Sequence, residues 1–214
     1  MSTPAPAQLL VLIDDAAPMP PLVELSSSLA RGLSRTLDLV YVESLPALKA
    51  AALPFAQVLA YGGTHWQPFA QQDLERAYRA QASRLREMTE RAALRHSLHW
   101  SMRVVRGALA QAALELRAQA DLLLVAGAPP AASRRKRRLA VTVVADHSPA
   151  GERAVEVGRQ VARAMDALLT VRQGAAEAEL RSAPADSCDL LVLPGALLPP
   201  QALERLDRPV LLVD

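Results

Sequence analysis

The chain has 214 residues and a mass of 23.0 kDa, which fits one large domain or two small ones. Hydrophobic residues make up 51% and charged residues 21%, so a core can form and intrinsic disorder is excluded as the main state. The formal net charge is +2, but five of the 24 cations form one cluster at 134–138, and the other 19 stand against 22 acidic residues, a net of −3. A basic surface of the kind that dedicated nucleic-acid-binding proteins carry is therefore not expected.

The first predicted elements are a buried strand, a helix and a second strand. Residues 9–13 form a continuous apolar run that stops at Asp14, as is typical of parallel strands buried on both faces. A helix follows, with apolar residues at spacings of three and four, namely Leu22, Leu25, Leu29 and Leu33. Residues 37–42 are the second apolar strand.

Residues 45–68 are predicted to be a long, irregular insert, and four of the seven aromatic residues fall between positions 55 and 69. A long helix is predicted from about 69 to 94, with the apolar line Leu74, Tyr78, Ala82, Leu85, Met88 and Ala92. A strand at 100–105, a short helix at 108–118 and a strand at 122–125 that leads into Gly127 complete this part.

After Gly127 the pattern restarts. A strand at 139–145 ends at Asp146, and Ser148-Pro149 is a helix-start signal. Further strands are predicted at 167–171, at 190–193 before Gly195, and at 209–213. Strands that alternate with helices imply parallel βαβ units, here in two copies.

These motifs resemble the universal stress protein family in a tandem form. The best match runs from Gly107 through Ala-Asp-Leu-Leu-Leu-Val to Gly127, and Asp146-His-Ser, Cys188 to Gly195, and Arg208-Pro-Val-Leu-Leu-Val match further family motifs. The resemblance implies an α/β, Rossmann-like fold (adenine nucleotide alpha hydrolase-like) with parallel sheets. The first domain would span 1–133, and a reduced second domain 134–214.

The two copies differ in length. The second lacks room for the long helix and third strand, which leaves a sheet of strands 2-1-4-5 with a crossover helix in 174–183. The first copy should have the strand order 3-2-1-4, with 100–105 beside 37–42, and it lacks its own fifth strand. Either 209–213 covers the open edge, within the chain or across a homodimer, or 139–145 serves as that fifth strand.

The family's phosphate loop is Gly-x2-Gly-x9-Gly-Ser/Thr, in which glycines let backbone N–H groups converge on phosphate. Here Pro130 stands at the second glycine position, and Gly195 is followed by no second glycine. Proline donates no N–H and cannot adopt a positive φ. We therefore expect no cofactor. If ATP does bind, the resemblance places five residues against it: Asp14, Val42, Gly127, Asp146 and Gly195.

The other candidate residues each have a structural alternative. The cluster of Arg134, Arg135, Lys136, Arg137 and Arg138 is either a solvated linker or a site for an acidic partner or nucleic acid. Trp66 and the aromatic insert either cover a sheet edge or dock a partner. Asp14 and Asp146 can simply cap turns, and Cys188 is expected to act as a small buried hydrophobe.

Catalytic and metal sites are not expected. His96 and His99 lack accompanying ligands in sequence, and Ser148 lies beside His147 where the two side chains diverge. One cysteine allows no intramolecular disulfide, and no apolar run reaches the ~18 residues of a membrane span.

The sequence thus predicts a cytoplasmic, non-enzymatic regulatory or interaction module in stress response, a homodimer with an unknown protein partner and no membrane or nucleic-acid role. A nucleotide-binding member with a rearranged site is the first alternative. Binding of nucleic acid or an acidic partner through 134–138 is the second.

Overall fold

The computed structural model describes residues 7–59, 66–68, 70–126, 138–174, 188–197, 200–203, 206 and 208–214. The elements before residue 127 are β1 Gln8–Ile13, α1 Met19–Gly32, β2 Thr36–Ser44, α2 Leu45–Ala51, β3 Gln57–Leu59, β4 Trp66–Pro68, α3 Gln71–His96, β5 Trp100–Gly107, α4 Leu109–Arg117 and β6 Leu122–Val125. The later elements are β7 Ala140–Ala145, α5 Pro149–Ala164, β8 Leu168–Gln173, β9 Leu190–Pro194, α6 Pro200–Leu203 and β10 Val210–Val213.

Eight strands form one sheet in the order β5-β2-β1-β6-β10-β9-β7-β8. Its first four strands have the predicted order 3-2-1-4 and are all parallel. The predicted pairing of 37–42 with 100–105 is confirmed, because Leu37 lies opposite Trp100 and Val42 opposite Val105. The fold is therefore α/β with a mostly parallel sheet, as the alternating pattern predicted.

The last four strands are β10, β9, β7 and β8. Read from the β8 edge, this is the order 2-1-4-5 that was predicted for the reduced copy. The interpretation of 139–145 as a fifth strand of the first copy is wrong, because β7 pairs with β8 and β9. The β1–β2 and β7–β8 registers coincide at a displacement of 132 positions: Gln8 lies opposite Thr36, and Ala140 opposite Leu168. The predicted crossover helix in 174–183 lies outside the described residues, apart from Gly174.

β10 joins the two halves of the sheet. It pairs antiparallel with β6, Leu211 opposite Leu124, and parallel with β9, Leu211 opposite Val192. The first copy has no fifth strand of its own beside β6, and β10 takes that place. The expected sheet-edge cover by 209–213 is confirmed within the chain. Because this joint is antiparallel, the carboxyl ends of the first four strands lie at one end of the sheet and those of the last four at the other.

Helices cover both faces. On one face α1, α3 and α5 pack over a core that includes residues of both halves, such as Leu9, Tyr41, Leu85 and Val143. On the other face α4 and α6 pack over Leu12, Leu123 and Leu193. The predicted apolar line of α3 faces the core, with Tyr78, Leu85 and Ala92 buried and the other three members partly buried against it.

The insert is more regular than predicted. Ser44 caps α2 by accepting a hydrogen bond from the Ala47 N–H, and β3 and β4 pair as a two-stranded antiparallel sheet. In the described part of the chain, no helix combines the length and the apolar character that crossing a bilayer requires.

Candidate functional site

Asp14 lies directly after β1, where the resemblance places a nucleotide-contacting carboxylate. Its Oδ1 accepts a hydrogen bond from the Ala16 N–H (3.2 Å), and its carbonyl accepts one from the Ala17 N–H (3.4 Å). These bonds match the expected turn-capping role. Burial, and after it the Asp15 charge, raise the pKa of Asp14, so its surroundings disfavour negative charge.

The neighbouring strand end is rich in carboxylates. Tyr41 at the end of β2 is fully buried, and its hydroxyl donates to Gln81 Oε1 (2.5 Å). Burial raises the pKa of Tyr41 well above the ordinary range, and the charges of Asp15, Tyr78, Glu43 and Asp14 raise it further. Tyr78 of α3 packs edge to face on Tyr41, with the ring centres 6.3 Å apart.

Arg106 lies between two carboxylates. Its Nε donates to Glu43 Oε2 (2.8 Å), and its Nη2 lies 4.0 Å from Glu75. The Arg106 guanidinium is therefore already engaged by side chains of this chain, whereas a bound triphosphate needs several donors or cations.

Val42 is a core residue in this structure. It is 1% exposed, its backbone is paired in the sheet, and it packs in the cluster that α4 covers. Its side chain therefore does not line an open cleft beside Asp14.

Asp146 has the equivalent position after β7. Its Oδ1 accepts hydrogen bonds from the N–H (3.1 Å) and the hydroxyl of Ser148, and Ser148 Oγ accepts one from the Gly151 N–H (3.1 Å). The predicted helix start at Ser148-Pro149 is thus confirmed. The Ser148 hydroxyl, followed by its N–H, holds the pKa of Asp146 below the ordinary value. A Cβ at Gly151 would lie 2.5 Å from Asp146 Oδ1, so only glycine allows this close approach.

The position after β9 is occupied by two side chains of this protein, those of Arg117 and Asp214. Arg117 Nε, from the end of α4, donates to both carboxylate oxygens of Asp214 (3.1 and 3.0 Å), and its Nη1 donates to the Gly195 carbonyl (2.7 Å). A Cβ on Gly195 would lie 2.3 Å from Asp214 Oδ1 and 2.9 Å from Arg117 Nε. A carboxylate therefore lies against the glycine where the resemblance expects phosphate.

A groove of about 450 Å³ opens beside α5 and the edge strand β8. Its lining includes apolar Val155 and Val171 and a charged rim formed by Asp146, Glu152, Glu156 and Arg159. Sequence analysis did not predict this groove.

Several predicted site residues lie outside the described residues: Gly127, Arg134, Arg135, Lys136 and Arg137. The last member of the basic cluster, Arg138, forms an ion pair with Asp166. Trp66 is 65% exposed on β4.

Cys188 is buried, as expected of a small hydrophobic residue, and His96 Nδ1 lies 3.4 Å from Arg31 Nη1. Among the described ranges, no three His, Cys, Asp or Glu side chains are grouped so that they could hold a metal ion.

Sequence reasoning missed Arg117 and Asp214. Arg117 reads as one more basic residue in a last helical turn, where cations are common, and Asp214 as a polar residue after a strand. Their meeting depends on the antiparallel β6–β10 pairing, which places the ends of α4 and β10 together. The one local feature of the sequence that points to this position is Gly195, which directly follows β9 with no second glycine after it.

No protein-family model matches the chain, and no curated protein matches it in sequence. Among solved structures, it is similar to a universal stress protein from Archaeoglobus fulgidus DSM 4304, with a TM-score of 0.48 and 7% identity over 96% of each chain. It is also similar to a universal stress protein solved in complex with cAMP, with a TM-score of 0.31 and 14% identity over 79% of this chain and 98% of that one. Both neighbours are universal stress proteins, the family that the sequence motifs resemble. Likeness at these identities says nothing about what this chain binds.

Proposed function

We propose that this chain is a cytoplasmic, non-enzymatic module of the universal stress protein type that acts in stress response through protein contacts and does not bind ATP. The observation that carries the proposal is the Asp214 carboxylate, held against Gly195 by Arg117. A phosphate at that position would have to displace a carboxylate from its own guanidinium partner, which makes binding there unfavourable.

The first half supports the same proposal from charge. Asp14 and Asp15 follow β1, Glu43 lies near the end of β2, and Arg106 is already paired with Glu43. The sequence adds Pro129 and Pro130 after Gly127, which remove two backbone donors from the loop that would cradle phosphate.

The test is calorimetric titration with ATP, together with native mass spectrometry of the purified protein. We expect no retained nucleotide and an ATP dissociation constant weaker than roughly 0.1 mM, which corresponds to about −5.5 kcal/mol or less favourable. A micromolar constant with adenine preference, abolished by Asp14→Ala or Asp146→Ala but unaffected by Asp73→Ala on exposed α3, would replace the proposal with the nucleotide-binding alternative.

The proposal includes a homodimer, and because β10 covers the β6 edge within the chain, a second copy would have to pair elsewhere. The described sheet ends at β5 and β8. These two edge strands are where a second copy would add to the sheet. Sedimentation velocity at several concentrations decides between monomer and dimer.

A further inference from the structure

The groove between α5 and β8 has a covered counterpart in the first half. Because the β1–β2 and β7–β8 registers coincide at a displacement of 132 positions, each residue of α5 and β8 has a counterpart in α1 and β2. In the first half α3 packs against α1 and reaches β2 through the Tyr41–Tyr78 contact and the Tyr41–Gln81 hydrogen bond. The described second half has no helix in the corresponding place.

Matched residues of the two halves differ in exposure. Leu39 is 0% exposed, whereas its counterpart Val171 is 46% exposed. Val23 is 2% exposed, whereas its counterpart Val155 is only partly buried and lines the groove. Apolar residues that are buried in the first half, where β5 and α3 flank β2 and α1, are therefore partly open in the second half.

The charged side chains that line the groove indicate which kind of helix would bind there. Among the described lining residues, the carboxylates of Asp146, Glu152 and Glu156 outnumber the guanidinium of Arg159, which lies 3.8 Å from Glu156. Glu156 is the counterpart of Glu24, and Glu24 forms an ion pair with Arg95 near the end of α3. An occupying helix that carries arginine or lysine beside its apolar stripe would reproduce that contact.

We propose that the groove between α5 and β8 binds an amphipathic helix of a partner protein, with an apolar stripe flanked by basic residues. The helix lies on α5 and β8 as α3 lies on α1 and β2, a helix-in-groove mode of recognition. This inference rests on the proposed interaction function and identifies the surface through which the protein would bind its partner.

The probe is a peptide with the sequence of residues 71–96, which is α3 itself, titrated into the full-length, isotope-labelled protein and followed by NMR. We expect binding with a dissociation constant below about 0.5 mM, and amide shifts confined to α5 and β8. A control peptide with lysine in place of Tyr78, Leu85 and Ala92 should not bind, because its apolar stripe is interrupted.

Two groove variants and one matched control test the location. Val171→Arg and Glu156→Arg should each weaken peptide binding by about tenfold or more, whereas Val104→Arg should leave it unchanged. Val104 is the control because it is 45% exposed on β5, at the opposite edge of the sheet, and Val171 is 46% exposed on β8. Thermal unfolding of each variant checks that the fold is retained.

Absence of binding at about 1 mM peptide, shifts that map to α1 and β2, or equal effects of Val171→Arg and Val104→Arg would each overturn the proposal. So would a dimer that Val171→Arg and Glu156→Arg each convert to a monomer, because a second copy would then occupy the groove and would not merely pair with the β8 edge. ATP titration of the same samples is independent: micromolar ATP binding overturns the proposed function, whereas failure of the peptide alone overturns only the groove.

Discussion

Leu211 in the middle of β10 should be one of the most sensitive positions in the chain. It is 0% exposed and lies between Leu124 of β6 and Val192 of β9, at the joint of the two halves. Leu211→Ala removes a buried side chain from a core shared by both halves and leaves a cavity. Substitutions of this kind cost about 2–5 kcal/mol, against a total stability of about 5–15 kcal/mol for a typical domain.

The matched control is Leu168→Ala, the same substitution in the edge strand β8. Leu168 is 55% exposed, so the change should alter the free energy of unfolding by less than about 0.5 kcal/mol. Urea unfolding followed by circular dichroism measures both variants. In a chain of this size, about 1 kcal/mol shifts the thermal midpoint by roughly 2–4 °C, so Leu211→Ala should also be visible in a thermal scan.

Deletion of residues 209–214 extends the same reasoning. It removes the four buried side chains of β10, each worth about 1.5–3 kcal/mol, and leaves β6 and β9 with unpaired edges. The truncated chain should expose apolar surface, bind a hydrophobic dye and aggregate. A monomeric truncated chain with the midpoint of the full chain, or equal costs for Leu211→Ala and Leu168→Ala, would refute the assignment of β10 as the central joint.

Two further predictions concern the aspartates after β1 and β7. Burial raises the pKa of Asp14, so the charged carboxylate lowers the stability of the fold at about pH 7, whereas below the unfolded-state pKa the group is protonated and has no such cost. Asp14→Asn should therefore raise the thermal midpoint at about pH 7 and lose that advantage near about pH 3. An equal shift at both pH values would contradict the assignment. Ser148→Ala should raise the pKa of Asp146 toward its ordinary value in a carboxyl-carbon NMR titration, because the hydroxyl that favours the charged form is lost. It should also cost about 1 kcal/mol as a lost helix cap; Ser44→Ala, at the cap of α2, should cost a similar amount and leave Asp146 unchanged.

The parallel elements could be predicted from the sequence because their information is local. Residues 9–13 and 122–125 are apolar on both faces, and the alternation of such strands with amphipathic helices dictates right-handed βαβ units. Ser148-Pro149 predicts the start of α5 because a capping residue followed by proline is a local signal. Ser44, followed by Pro46 at the second helical position, is the same kind of signal at the start of α2.

The pairing of β10 with β6 could not be predicted in this way. Residues 210–213 show that a buried strand exists, but no local pattern says which edge it joins or in which direction. Arg117, Asp214 and the α5–β8 groove all depend on such long-range placement, so they emerge only from the folded chain. The groove in particular is defined by a difference between the halves: among the described elements, α3 packs over α1 and β2, and no helix packs over α5 and β8 in the same place.

The antiparallel joint also limits how the two halves can act together. Asp14 follows β1 and Asp146 follows β7, and these strands run in opposite directions in one sheet, so the two candidate edges lie at opposite ends of it. A single small ligand cannot contact both. Any coupling between them must therefore pass through the shared core, where β6 and β10 meet and where α1 packs against α5. Gly32 permits that helix contact: a Cβ there would lie 2.4 Å from the Ala164 Cβ, so a larger residue would push α1 and α5 apart.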